Sequence, residues 1–213
     1  MIHMIIAITN SSDTWNNLGY SQYHLGQYND ALTSCEISLH LNSSYAPAWI
    51  NRGVLLDELG RFDEAIASFD QALSLDMNGL SFSNLGHALN NAGRYEEALS
   101  AYDWSLVLTP DNPGAWFNRA VVLTTLNRNE EALYSYDHTI ALQPEDPLTW
   151  QKKGEILEKM GQYNEALYSY DQTLRFEPGN EKIWKNRGLV LSKLGRFDDA
   201  VRSYDNAFGS EFM

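Results

Sequence analysis

One short pattern returns along this chain at an almost fixed interval, and no other feature limits its fold as strongly. WINRGVLL at Trp49, WFNRAVVL at Trp116, WQKKGEIL at Trp150 and WKNRGLVL at Trp184 are variants of one motif, and Trp15 and Phe82 open two more in WNNLG and FSNLG. The intervals from 15 to 49, 82, 116, 150 and 184 are 34, 33, 34, 34 and 34 residues. Each copy is followed by a second signature: CEISL, FDQAL, YDWSL, YDHTI, YDQTL or YDNAF. Self-similarity at such a period marks a repeat architecture, in which each unit buries its apolar face against its neighbours. Positions 4, 8 and 11 of a unit share one helical face, as Trp49, Gly53 and Leu56 show. A small residue at position 8 admits a second helix. Gly26, Gly60, Gly93, Asn127, Gly161 and Gly195 stand between the two helices, where a left-handed residue ends the first; after glycine, asparagine tolerates that conformation best.

These motifs resemble the tetratricopeptide repeat family, a helix–turn–helix unit with W-x2-L-G-x2-Y…A-x3-F…P spacing. The alanine at position 20 is matched by Ala31, Ala65, Ala98, Ala132, Ala166 and Ala200. The aromatic at position 24 is matched by Phe69, Tyr102, Tyr136, Tyr170 and Tyr204, with Cys35 in the first unit, and the late proline by Pro110, Pro144 and Pro178. The resemblance implies an all-α, right-handed solenoid of six repeats, at 12–45, 46–78, 79–112, 113–146, 147–180 and 181–208, forming one domain. Residues 1–11 read as a short apolar segment packing on the first unit, and Gly209–Met213 as a cloning scar.

Composition excludes several function classes. Fifteen basic against 28 acidic residues leave a formal charge of −13, which repels nucleic-acid phosphates and anionic lipid heads. Much of this charge belongs to the scaffold. Ten acids fall at positions 18 and 19, opening the second helix, and six more at position 25. Acids in a first helical turn stabilise it by roughly 0.3–1 kcal/mol each. The single cysteine, Cys35, permits no intrachain disulfide and no CxxC motif. The five histidines form no HExxH and no i, i+4 pair with one another or with the cysteine, and no nucleophile-elbow, Walker or dinucleotide-binding motif is present. The expectations are therefore no enzyme, no metal and no cofactor. With no basic leader and no long apolar run, the chain reads as soluble and cytoplasmic.

By the resemblance, first helices line a concave surface and second helices a convex one. Position 6 reads Asn17, Asn51, Asn84, Asn118, Lys152 and Asn186. Asparagine is a mediocre helix former, so its recurrence inside a helix has a cause. Two uses fit: the amide meets the backbone of an extended ligand, donating and accepting at once, or it bonds a neighbouring repeat and was copied by duplication. Asparagine ladders of related superhelices clamp peptide backbones, which the resemblance extends to these positions. Ile50, Val54, Phe117 and Val121 add an apolar centre, with Asp57 and Glu58 toward one end and Lys152, Lys159, Lys182, Lys185 and Lys193 toward the other. The carboxylate clamp of chaperone-binding relatives is not matched, since position 5 carries a lysine only at Lys185. On the second helices Trp104, Tyr134 and Tyr168 mark a possible convex interface.

The leading expectation is a scaffold that binds a protein or peptide partner in its concave groove. The alternatives are a docking or regulatory part of a larger enzyme, of glycosyltransferase type by the resemblance, and a self-assembling solenoid joined end to end.

Overall fold

The computed structural model describes residues 11–208, and the expectations for residues 1–10 and 209–213 lie outside them. The described residues form twelve α-helices and no strand. In chain order these are α1 (Ser12–His24), α2 (Tyr28–Leu41), α3 (Ala46–Glu58), α4 (Phe62–Leu75), α5 (Gly79–Asn91), α6 (Tyr95–Leu108), α7 (Pro113–Thr125), α8 (Asn129–Leu142), α9 (Pro147–Lys159), α10 (Tyr163–Phe176), α11 (Glu181–Lys193) and α12 (Phe197–Phe208). Odd-numbered helices are the first of each repeat and even-numbered helices the second. The helices fall into two compact units, one ending at Pro110 and one beginning at Asp111, each holding three helix pairs.

Local chemistry explains where the helices start and stop. Ser11, Asn78, Asn112, Asp146 and Asn180 each accept a hydrogen bond from the N–H three residues on, capping a first helix. The second helices open without a side-chain cap. Instead an arginine just before the helix folds onto an acid in its first turn: Arg61 on Glu64, Arg94 on Glu97, Arg128 on Glu131 and Arg196 on Asp199. Besides the helix-end stabilisation expected of them, those acids thus hold arginine partners that the repeat pattern alone does not reveal. Between the helices of each pair Gly26, Gly60, Gly93, Gly161 and Gly195 take φ of 72–76°, and Asn127 takes φ 58° in the same place. Two backbone bonds close each turn, as in Gly93 N–H to Asn90 C=O (3.0 Å) and Arg94 N–H to Leu89 C=O (2.8 Å).

The core of each pair is a ring laid against a bare backbone. A Cβ at Gly86 would come within 2.8 Å of Tyr102 Cε1, and one at Gly154 within 2.7 Å of Tyr170 Cε1. Phe69, Tyr102 and Tyr170 are almost fully buried as a result, and Tyr136 is equally buried in the repeat that carries Ala120 at that position. Cys35 fills the equivalent place opposite Gly19, buried among apolar atoms that push its thiol pKa up to about 12. In the unit beginning at Asp111 the core continues through Leu157, Leu167, Leu174, Ile183, Val190 and Leu191.

Position 4 does a second job. The indoles of Trp49, Trp150 and Trp184 donate to the carbonyls of Ser43, Pro144 and Pro178, each six residues back in the preceding linker, at 2.8 Å in every case. Each ring thereby pins the end of one repeat to the start of the next. The linker before α5 is one residue shorter, and the ring there is Phe82, which has no N–H to place.

Candidate functional site

The first helices of the unit ending at Pro110 together build one apolar cavity of about 200 Å³. Tyr20 and Tyr23 come from α1, Ile50, Asn51, Val54 and Leu55 from α3, and Leu80 and Asn84 from α5. Four expected site residues, Ile50, Asn51, Val54 and Asn84, therefore meet at one place. Tyr20, Tyr23 and Leu80 were missed. The signal for them was the helical spacing itself, since Tyr20 and Tyr23 sit on the same helix as Asn17, and Leu80 one turn before Asn84.

The position-6 residues are not one uniform set. Asn51 Nδ2 donates to Asn16 Oδ1 at 2.8 Å, joining α3 to α1. Asn17 reaches Asp13 at 3.4 Å, Lys152 pairs with Glu155 at 3.5 Å, and the Asn186 amide meets the Tyr170 hydroxyl. Asn84 and Asn118 make no side-chain hydrogen bond among the described residues and are half-buried. The structure thus places the two readings of the asparagines side by side: Asn51 is spent on a neighbouring repeat, while the Asn84 amide lines the cavity uncommitted.

Most of the charged residues expected at the two ends are engaged within the chain. His87 Nδ1 contacts Asp57 Oδ2 at 2.7 Å and Asn91 donates to Asp57 Oδ1 at 3.0 Å, all on first helices. Burial alone would raise the Asp57 pKa, but these two bonds outweigh it and hold the carboxyl below its ordinary range. The same contact raises the His87 pKa against the effect of its burial. Tyr23 donates to Glu58 at 3.3 Å, and burial together with that carboxylate raises the phenol's pKa.

In the unit beginning at Asp111, Val121, Thr124, Thr125, Tyr136, Lys152, Glu155, Ile156 and Lys159 line a more polar cavity of about 330 Å³. Phe117 lies edge-on to Tyr136, with ring centroids 5.8 Å apart. Glu155 accepts from Lys182 and Gln151 at 2.8 and 2.9 Å, which keeps its pKa low despite burial. Lys159 donates to Asn127 at 2.6 Å, and Lys185 lies over the Phe208 ring. The expected apolar centre is distributed over the two units, Ile50 and Val54 in one and Phe117 and Val121 in the other.

Trp104, Tyr134 and Tyr168 are 55–58% exposed, and each rests on the position-4 ring of its own repeat: Trp104 on Phe82, Tyr134 on Trp116 and Tyr168 on Trp150.

Family profiles described as tetratricopeptide repeat match residues 83–147 and 152–210, and further ones match 46–76 and 135–168. The chain belongs to the tetratricopeptide repeat family. A repeat-containing protein of Methanocaldococcus jannaschii is 33% identical over 79 residues; that stretch is 37% of this chain and 14% of the relative, so the chain matches only a small part of that protein's length. Among solved structures, PilF of Pseudomonas aeruginosa superposes with a TM-score of 0.78 at 20% identity, covering 90% of this chain and 88% of PilF. YrrB, described as a tetratricopeptide repeat protein with an unusual peptide-binding site, superposes with a TM-score of 0.72 at 22% identity, covering 82% of this chain and 91% of YrrB. At these identities the superpositions establish the shared helix-pair fold. No described helix is long and apolar enough to cross a membrane.

Proposed function

We propose that this chain is a non-catalytic interaction scaffold that holds an extended peptide segment on its first-helix face. The observation that carries the reading is the cavity bounded by Ile50, Val54 and Leu80, with the uncommitted Asn84 amide on its wall. An apolar side chain fits such a cavity, while an amide that both donates and accepts satisfies the peptide group beside it. Tyr20 and Tyr23 offer rigid, amphipathic contact area of the kind that anchors peptides. The description of YrrB as peptide-binding supports the same use of this fold.

The test is a selection of random display peptides on the immobilised protein, followed by titration of the recovered sequences. Asn84→Ala combined with Asn118→Ala weakens their binding while leaving the fold intact, and Val54→Arg abolishes it. Unchanged affinity in both variants refutes the reading.

A second reading, end-to-end self-association, is favoured by one observation. Phe197, Val201 and Phe208 form an exposed stripe along α12. Sedimentation of the chain and of Val201→Glu over a wide concentration range checks it: a monomer throughout excludes this mode.

A further inference from the structure

One repeat lacks a cation that its neighbours carry, and keeps the acid that would receive it. Position 7 is Arg52, Arg119, Lys153 or Arg187 in four repeats, Leu18 in the first and Leu85 in the third. Where the cation is present it lies over the position-4 indole, as in Arg52 on Trp49 at 5.9 Å, Lys153 on Trp150 at 5.7 Å and Arg187 on Trp184 at 5.5 Å. It also meets the position-25 acid of the preceding repeat: Arg52 with Glu36, Lys153 with Asp137, and Arg187 with Asp171 at 2.6 Å. A serine on its own second helix completes the seat, with Arg52 donating to Ser68 and Arg187 to Ser203, both at 2.6 Å.

In the third repeat the serine becomes Ala101 and the indole becomes Phe82, yet the acid, Asp70, remains. Asp70 makes no hydrogen bond or ion pair among the described residues. Arg94 lies nearby, but its Nε and Nη2 donate to Glu97 at 2.7 and 2.6 Å. Partial burial pushes the Asp70 carboxyl above its ordinary range, with Arg94 opposing the effect and Glu97 adding to it.

The vacated space is open. A cavity of about 280 Å³ lies between α4, α5 and α6, with Asp70, Phe82, Leu85 and Trp104 among its walls. Trp104 stands where the other second helices carry Ile37, Gln71, His138, Gln172 or Asn206. It stacks on Phe82 with centroids 6.2 Å apart and planes 23° from parallel. An aromatic pair beside an unpaired carboxylate has the geometry that a guanidinium satisfies, lying flat on a ring and bonding the acid through its fork.

We propose that this cavity seats an arginine side chain of a partner polypeptide, in the place that four other repeats fill with a cation of their own. The site is separate from the first-helix face and does not depend on the peptide reading given to it. The formal charge of −13 favours a basic partner at long range.

The test uses acetyl-Gly-Arg-Gly-amide as the probe, with acetyl-Gly-Glu-Gly-amide as its control, followed by the indole NMR resonance of Trp104, assigned by its loss in Trp104→Gln. The arginine probe shifts this resonance saturably and the glutamate control does not. Asp70→Asn weakens the response by about fivefold or more. Leu85→Arg with Ala101→Ser, which restores the cation and its serine from within the chain, abolishes the response and raises the thermal midpoint. Should that double variant fail to fold, Asp70→Asn, a surface change that leaves the Trp104 reporter in place, still decides the matter. No saturable shift, or full binding by Asp70→Asn, overturns the proposal.

Discussion

Asn51 donates its amide to Asn16 across 2.8 Å, tying the first helix of the second repeat to that of the first. Asn16 is almost wholly buried, so this is an interior hydrogen bond between repeats. Asn16→Ala is expected to lower stability by about 1–2 kcal/mol, because the Asn51 donor loses its partner. Asn84→Ala, at a position with no such bond, is expected to cost less than about 0.5 kcal/mol. Urea unfolding of the two variants checks the contrast; equal losses would assign Asn84 a structural role.

The indole bonds to the linkers yield a second prediction. Trp150→Phe preserves the ring against α10 but strands the Pro144 carbonyl, which accepts from Nε1 at 2.8 Å. A loss of about 1 kcal/mol is expected from the missing bond. Phe82→Leu probes packing alone, because that ring carries no donor. Thermal melts of both variants separate the two contributions.

Asn127 is the one non-glycine at the turn between helices, at φ 58°. Asn127→Gly is expected to fold with stability within about 1 kcal/mol of the parent, giving up the exposed Lys159 contact in exchange for an unstrained turn. Asn127→Val is expected to cost about 1–2 kcal/mol or more, since a β-branched residue fits the left-handed region poorly. Denaturant midpoints give the order directly.

The His87–Asp57 pair makes stability depend on pH. The folded His87 pKa is raised, so its contribution is complete below the unfolded value of about 6.5 and fades as pH climbs through the higher folded value. The folded Asp57 pKa is lowered, so its contribution is present above about 3.9 and fades as pH falls through the lower folded value. Their combined effect is largest between about pH 4 and 6.5. His87→Gln is therefore expected to destabilise the chain more at pH 5.5 than at pH 8.5, by denaturant unfolding at both. An equal loss at the two values would remove the pair from the account.

The helix pairs were legible because their causes are local and recur. The glycine turns, the alanines at position 20 and the ring at position 24 each repeat with the chain's own period, so one copy vouches for the next. The candidate site was legible only in part. Ile50, Val54 and Asn84 carried the periodicity of an outward stripe, and the structure brings them to one cavity. Tyr20 and Tyr23 escaped notice because they sit on α1 in a stretch with no counterpart of the same type in the other repeats. Trp104 was legible as a second-helix aromatic, but its surroundings needed the neighbouring α4 and α5, where Asp70 and Leu85 line one cavity and no position-7 cation is present.

From the order of residues alone came the unit: its length, its two helices, its turn and the face each helix buries. These follow from backbone rules and apolar spacing, which act within a few tens of residues. What the tertiary structure alone decided was the employment of each polar side chain. Whether an asparagine is spent on a neighbour, as Asn51 is, or left open, as Asn84 is, depends on which acceptor lies within about 3 Å. That distance is set by how one repeat packs on the next, and no single repeat contains it.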